Sequence, residues 1–284
     1  MDEVINSIDF ASNNPHIDYA VFKPTGVGRL SLMEKKDRRL ELSAEEIKEY
    51  NRIYQRFEKI CQYAYDQNVK IMIDAEESWI QETVDKFAHK LMAKFNKDKV
   101  VVFNTVQMYR RDRLDFLKSA FAAARAAKYK YGVKLVRGAY MEKEAARAKK
   151  DGYPNPIHSS KEATDQSYNM ALRFIIDNID NMAATIATHN EVSVKLLLKW
   201  MAEEEIAKDD ERLSCIQLLG MRDNITYNLS HYGYKTAKYV PYGPLFELLP
   251  YLSRRADENS SVQGQVQREI ALLKEEISRR SREK

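Results

Sequence analysis

Ser43-Ala-Glu-Glu46 opens the stretch that decides the fold, and Lys70-Ile-Met-Ile-Asp74 closes it. The opening is a capping box, in which a serine and a glutamate three residues later satisfy each other's orphan backbone groups at a helix start. Ile47, Tyr50, Tyr54, Phe57, Ile60, Cys61 and Ala64 follow at helical spacing. The closing run is apolar on most positions and short, as expected for a strand buried on both faces. A long amphipathic helix running straight into such a strand is one half-turn of a parallel α/β fold.

Working outward, the same rhythm recurs. Further β-type runs are Tyr19 to Lys23, Val100 to Thr105, Val133 to Val136, Ala183 to Thr188, Ser214 to Leu219 and Ala237 to Val240. Ile80, Val84, Phe87, Ala88 and Leu91 form another helical stripe, and Val262, Val266, Ile270, Leu273 and Ile277 a last one. Every step between strand starts has room for a crossover of roughly a dozen residues. No Gly/Ser/Pro-rich linker interrupts the 284 residues, so residues 1–284 read as one domain, with 260–284 as its C-terminal amphipathic helix. The fold class is α/β, and the choice lies between a (βα)8 TIM-type barrel and an open doubly wound sheet. Seven strands are counted where a closed barrel needs eight. The open sheet lacks its usual sign: Gly26-Val-Gly28-Arg-Leu-Ser31 has only two of the glycines of a dinucleotide fingerprint, and no phosphate-binding loop of the GxxxxGK[ST] type exists.

Composition narrows the function. Apolar residues make up 44% and charged residues 31%, which excludes collagen, low-complexity disorder and a disulfide scaffold. The net charge of +4 is well mixed and gives no case for nucleic acid. The densest charge run, Glu34-Lys-Lys-Asp-Arg-Arg39, mixes both signs and is expected to be a solvated loop. Cys61 and Cys215 lack CxxC spacing and read as buried thiols of a reducing compartment, the cytoplasm. No run approaches the length of a membrane-spanning helix. The five histidines are scattered without HxH or HExxH spacing, so no metal is expected, and a GxSxG nucleophile elbow is absent.

The informative residues follow the strands. Lys23, Asp74, Gln107, Arg137, Tyr140, Thr188, His189, Asn190 and Tyr239 lie at or just past strand ends, where a parallel barrel gathers its ligand-binding mouth. Tyr251-Leu-Ser-Arg-Arg255 continues to Glu258, which stands four residues from Arg254 and three from Arg255. That cluster reads either as a surface ion pair or as a paired guanidinium clamp for a carboxylate. A site rich in Arg, Lys, Tyr and Gln but poor in nucleophiles suggests that a cofactor carries the chemistry.

Val21-Phe-Lys-Pro-Thr-Gly26, Ile73-Asp-Ala-Glu-Glu77, Lys134-Leu-Val-Arg-Gly-Ala-Tyr140, Ala187-Thr-His-Asn190 and Tyr251-Leu-Ser-Arg-Arg-Ala-Asp-Glu-Asn259, taken in order, closely resemble the proline dehydrogenase family. Asp74-Ala-Glu-Glu-Ser-Trp79 is most similar to its monofunctional branch. The resemblance implies a (βα)8 barrel holding non-covalent FAD, and oxidation of L-proline to Δ1-pyrroline-5-carboxylate by hydride transfer to flavin N5. It implies a membrane quinone as electron acceptor and a pyrroline-5-carboxylate dehydrogenase as a candidate partner.

Roles are carried over residue by residue. The resemblance gives Arg254, Arg255 and Lys23 to the proline carboxylate, and Glu258 to pairing with the clamp and closing the site. Tyr239 packs on the proline ring and reaches Asp74, while Tyr140 and Leu218 line the apolar part of the pocket. Gln107 contacts the flavin ring, and Lys134, Val136, Gly138 and Ala139 line the cofactor. Lys161, near Ser159, meets the FAD phosphates, and Thr188, His189 and Asn190 hold the adenosine side; Arg255 and Glu258 also border the cofactor. Tyr239 is bulky enough to crowd a ring hydroxyl, which favours proline over hydroxyproline.

The family barrel begins with a strand upstream of the Lys23 strand, and Met1 to Ile8 reads as the helix leading into the latter. The barrel is therefore expected to be incomplete at its N-terminus. An incomplete barrel keeps two other readings open: a non-catalytic remnant that scaffolds a partner, and a related hydroxyproline flavin dehydrogenase. The basic C-terminal helix, with Arg268, Lys274, Arg279, Arg280, Arg282 and Lys284 interleaved with Glu269, Glu275, Glu276 and Glu283, suits either a capping helix or a peripheral contact with the inner face of the membrane.

Overall fold

The computed structural model describes residues 1–241, then 243, 245–246, 248–249 and 252–253, and the helix Gln263–Arg282. Seven strands appear among these residues: β1 (Tyr19–Phe22), β2 (Lys70–Ile73), β3 (Val102–Gln107), β4 (Tyr131–Val136), β5 (Met182–Ala187), β6 (Leu213–Leu218) and β7 (Thr236–Tyr239). They form one sheet in sequential order, every neighbouring pair parallel. The helices are α1 (Asp2–Ser12), α2 (Leu30–Asp37), α3 (Ala44–Asp66), α4 (Gln81–Phe95), α5 (Arg113–Ala126), α6 (Met141–Asp151), α7 (Lys161–Asp177), α8 (Glu191–Glu203), α9 (Asp223–His231) and α10 (Gln263–Arg282).

The sheet curls on itself. Met72, Val100, Phe103, Ala183 and Ile216 form a small inner cluster, with Tyr19, Val21, Ala187, Ala237 and Tyr239 packed against it. Tyr19 Oη lies 2.9 Å from Ser214 Oγ, joining β1 to β6 across the interior. Among the described residues β1 and β7 do not pair, so the seven strands make a curled half-barrel, open along one side. The larger core lies between the outer sheet face and the helices.

The capping box is present. Glu46 N–H donates to Ser43 Oγ at 3.2 Å, and Ser43 N–H donates to Glu46 Oε2 at 2.8 Å. Such a cap contributes about 1 kcal/mol. Ile53, Phe57, Ile60, Cys61 and Ala64 are fully buried against the sheet, and Phe57 meets Phe22 and Phe87 edge-on. Ile47, at the head of the expected stripe, is instead exposed. A helix of 23 residues is about 35 Å long, and a four-residue strand about 13 Å, so the first turn of α3 overhangs the sheet. Both cysteines are buried, and burial pushes the Cys215 thiol up to about 11.

Several expectations shift, and β4, for one, begins at Tyr131 and not at Val133. The strand placed at Val100 begins at Val102 and runs to Gln107. Asn96, fully buried, takes the place of the ladder there: its Oδ1 accepts from Val101 and Val102 N–H, both at 2.9 Å. The charge run is not a solvated loop. Glu34–Asp37 completes α2, and Glu34 pairs with Arg147 of α6.

Asp37, at the C-terminal end of α2, is partly buried under Thr83, whose hydroxyl donates to it at 2.6 Å. Burial pushes its carboxyl up to about 6; the Thr83 bond opposes this and the Glu82 charge adds to it. The native state thus holds a proton between about pH 4 and 6 that the unfolded chain has released, so stability falls as pH rises through that window. Asp37→Asn keeps the acceptor for Thr83 and removes the charge. It is expected to stabilise the protein at pH 7 by on the order of 1–2 kcal/mol and to flatten its stability between pH 4 and 6. Urea unfolding across that range checks this; an unchanged or lower midpoint at pH 7 contradicts it.

In α10 the apolar positions Ile270, Leu273 and Ile277 are exposed, and Glu276 pairs with Arg279 and Arg280. Among the described residues no helix is long and apolar enough to cross a membrane.

Candidate active site

Strand alternation builds the site. Side chains two apart share a face, so the inward series Tyr19, Val21 on β1 continues to Lys23 just past the strand. Met72 continues to Asp74, and Phe103 to Thr105 and Gln107. Because Phe22 pairs with Ile73, the next residues, Lys23 and Asp74, leave the sheet side by side. Leu218 pairs with Tyr239 at the far edge.

Asp74 is the centre of this floor. Lys134 Nζ, from β4, donates to its Oδ1 at 2.5 Å, and Tyr239 Oη donates to its Oδ2 at 3.2 Å. The Lys134 ammonium also stands 4.6 Å from the centre of the Tyr239 ring, a cation–π contact. Asp74 and Lys134 are both buried. Burial raises the Asp74 carboxyl, but Lys134 and then Lys23 outweigh it and hold the group below the usual carboxylate range. Lys23 Nζ donates to Tyr140 Oη at 3.2 Å, and Glu76 Oε1 is 4.0 Å away. Burial works against the Lys23 charge, yet Asp74, with Tyr140 and Glu76, raises its affinity for the proton. Lys23, Asp74, Lys134, Tyr140 and Tyr239 are thus one connected group.

A second group lies along the rim. Arg137, just past β4, donates from Nε to Asp165 at 2.7 Å, from Nη1 to Thr188 at 2.6 Å and from Nη2 to Ser193 at 2.9 Å. Its guanidinium lies over the Tyr168 ring at 4.1 Å. Arg137 therefore stitches the ends of β4 and β5 to α7 and α8 and does not belong to the floor. Lys161, exposed, donates to Asp165 at 2.5 Å. Burial opposes the Asp165 charge, but Lys161 and Arg137 keep its carboxyl low. Asn190 caps α8 through Oδ1. His189 Nε2 accepts from Leu218 N–H at 3.1 Å, which places the proton of the neutral ring on Nδ1. Ser159 and Ala139 are exposed, and Val136 and Gly138 half-buried, on the same side. Gln107 donates to the Glu76 carbonyl at 3.0 Å. Arg254, Arg255 and Glu258 lie outside the described residues.

The donor set suits a cofactor with an anionic part and a polar flat part. Lys161 and Arg137 share one carboxylate, leaving an excess positive charge. Thr188, Asn190 and Gln107 bring hydroxyl and amide groups to this side, and Gly138 carries no side chain there, its Cβ position being filled by the Tyr109 ring. Among the described residues no group of three His, Cys, Asp or Glu side chains could hold a metal ion.

Three participants are not evident from the sequence as site residues. Glu76 and Glu77 directly follow a strand end, where acidic residues are ordinarily solvated; both are buried here. Asp165 stands four residues after Lys161, a spacing that could have marked the pair.

A family model described as Proline dehydrogenase matches residues 3–268. The chain is 39% identical over 244 residues to proline dehydrogenase 1, mitochondrial, of Caenorhabditis elegans, covering 84% of this chain and 40% of that protein. The human protein of the same name is 39% identical over 241 residues, again with 84% of this chain and 40% of the relative. Carbapenem antibiotics biosynthesis protein CarD of Pectobacterium carotovorum is 35% identical over 280 residues, 99% of this chain and 72% of that protein. The chain thus spans about 40% of the length of the two proline dehydrogenases. In fold it is similar to proline utilization A of Bdellovibrio bacteriovorus inactivated by N-propargylglycine, with a TM-score of 0.79 and 22% identity over 92% of this chain and 28% of that one.

Proposed function

The chain belongs to the proline dehydrogenase family, and from that premise we propose that it oxidises L-proline to Δ1-pyrroline-5-carboxylate with FAD, passing the electrons to a quinone. The observation that carries this reading is the floor itself, where Lys134 and Tyr239 bond Asp74 and the Lys23 charge stands nearby, at the C-terminal side of parallel strands. Lys23 presents a half-exposed ammonium to an incoming carboxylate. Tyr239, held by Asp74, offers a fixed ring face to an apolar substrate ring. Lys161 and Arg137 would hold the phosphates of FAD, Thr188 and Asn190 its adenosine side, and Gln107 and Lys134 its ring. When bound, FAD supplies the acceptor for the hydride that leaves the proline ring carbon. The residues orient the ring and hold charge, which is the larger part of what a protein adds to cofactor chemistry. A dehydrogenase acting on pyrroline-5-carboxylate is the fitting consumer of the product.

Among the described residues β1 and β7 do not pair, and this favours a second reading, a chain that folds this floor without retaining the cofactor. One experiment separates the two. Protein reconstituted with FAD and freed of excess flavin is expected to stay yellow, and anaerobic L-proline is expected to bleach its flavin band. Colourless protein, or a band untouched by proline, defeats the first reading.

A further inference from the structure

We propose that Glu76 is a positioning residue for the substrate carboxylate: it fixes the turn after β1 and so aims Lys23 into the site. This rests on the proposal that Lys23 receives that carboxylate. Glu76 is buried, in the loop that follows β2. Both of its carboxylate oxygens are spent on one residue of a neighbouring loop. Oε2 accepts from the Thr25 N–H at 2.9 Å, and Oε1 accepts from the Thr25 hydroxyl at 2.8 Å. Charge-assisted bonds of this kind are about twice as strong as neutral ones. Thr25 sits in the tight turn Pro24–Gly26, and Lys23 immediately precedes that turn. Proline fixes its own φ and restricts the residue before it, so a seated Thr25 leaves the Lys23 backbone little freedom.

The Lys23 side chain is then held from two sides. Tyr140 Oη accepts from Nζ at 3.2 Å, and Glu76 Oε1 lies 4.0 Å from it. A lysine is a point charge on a flexible stem, and half of this side chain is exposed. Among the described residues, Glu76 and Asp74 are the two anions of the β1–β2 side that act on that charge, and Glu76 is the one tied to the turn that carries Lys23. Gln107 bonds to the main-chain carbonyl of Glu76, not to its carboxylate, so changing the side chain leaves that contact in place.

The test compares wild type, Glu76→Gln and Thr25→Val, each loaded with FAD, and measures dissociation constants for L-proline and for pyrrolidine, the same ring without a carboxylate. Glu76→Gln is expected to weaken proline about tenfold and pyrrolidine by less than about twofold, with KM rising far more than kcat falls. Thr25→Val is expected to show the same selective loss, smaller in size. Amide exchange at Thr25, measured on the ligand-free protein, is expected to accelerate at least about tenfold in Glu76→Gln. Equal weakening of both ligands marks a merely structural role and overturns the proposal; so does unchanged proline binding or unchanged exchange at Thr25. If wild type itself fails to prefer proline over pyrrolidine, the assigned function fails, while the exchange measurement still decides whether Glu76 seats the turn.

Discussion

Replacing Asp74 by alanine is expected to lower the stability of the flavin-free protein by about 3–5 kcal/mol, as a drop in the urea midpoint. The size follows from what is left behind. Lys134 is buried, and its ammonium donates to the Asp74 carboxylate at 2.5 Å. Truncating one partner of a buried pair costs more than the pair is worth, because the survivor keeps its desolvation penalty. Tyr239 Oη loses its acceptor as well. Two comparisons make the argument specific. The double variant Asp74→Ala/Lys134→Met should be more stable than Asp74→Ala alone, since it removes the stranded charge. The deficit should also depend on pH. The Asp74 carboxyl is held below its ordinary value, so its contribution is present above about pH 4 and is lost as pH falls through the lower native value. Wild type and variant should therefore converge in acid. Strict additivity of the two substitutions, or a gap independent of pH, would mean that Asp74 and Lys134 are not energetically coupled. Loss of substrate oxidation is expected in every Asp74 variant, because the same carboxylate holds Tyr239.

That pair also shows where the sequence stops speaking. The strands were legible because each is a short run buried on both faces and separated by amphipathic helices. The floor was legible in part, since period-two alternation tells which residues past a strand end face inward. Asp74 and Lys134 are 60 residues apart, one just past β2 and the other on β4, with β3 between them. Neighbouring strands are about 4.8 Å apart, so only a long side chain on a curled sheet spans the intervening strand. No spacing rule encodes that contact. The start of β3 was missed for a similar reason: Asn96 substitutes for the ladder from outside the strand. In the charge run around Asp37, local sequence reports polarity and not the Thr83 side chain that covers the carboxylate. The sequence places Glu76 just past β2, but its bonds to Thr25 of another loop follow from no local pattern. Local pattern thus reached the elements and the facing of their residues, while pairings made by curvature and by loop-to-loop contact needed the coordinates.

Gly138→Ala is expected to destabilise the protein by about 3 kcal/mol or more. Gly138 has φ +136°, a conformation that side chains with a Cβ rarely adopt. There is no room either. A Cβ at this position would lie 2.4 Å from Cδ1 and 2.5 Å from Cε1 of Tyr109. Tyr109 cannot readily yield. Its ring is buried, its N–H donates to the Arg137 carbonyl at 2.7 Å, and its own carbonyl accepts from His158 N–H at 2.8 Å. A ring pushed aside would drag the exit of β3 and the segment leading into α7, which carries Lys161 at its start. Flavin retention is therefore expected to fall together with stability. Gly26→Ala is the control within the same family motifs. Its Cβ would meet nothing within 4 Å and its φ is not in the strained region, so stiffening the unfolded chain should make it neutral or slightly stabilising, by up to about 1 kcal/mol. Thermal and urea unfolding, with flavin released on gel filtration as a second readout, compare the two. If Gly138→Ala unfolds with wild type, the backbone at Arg137–Gly138 is free to relax, and the tight packing of Tyr109 beneath it plays no part in holding the rim.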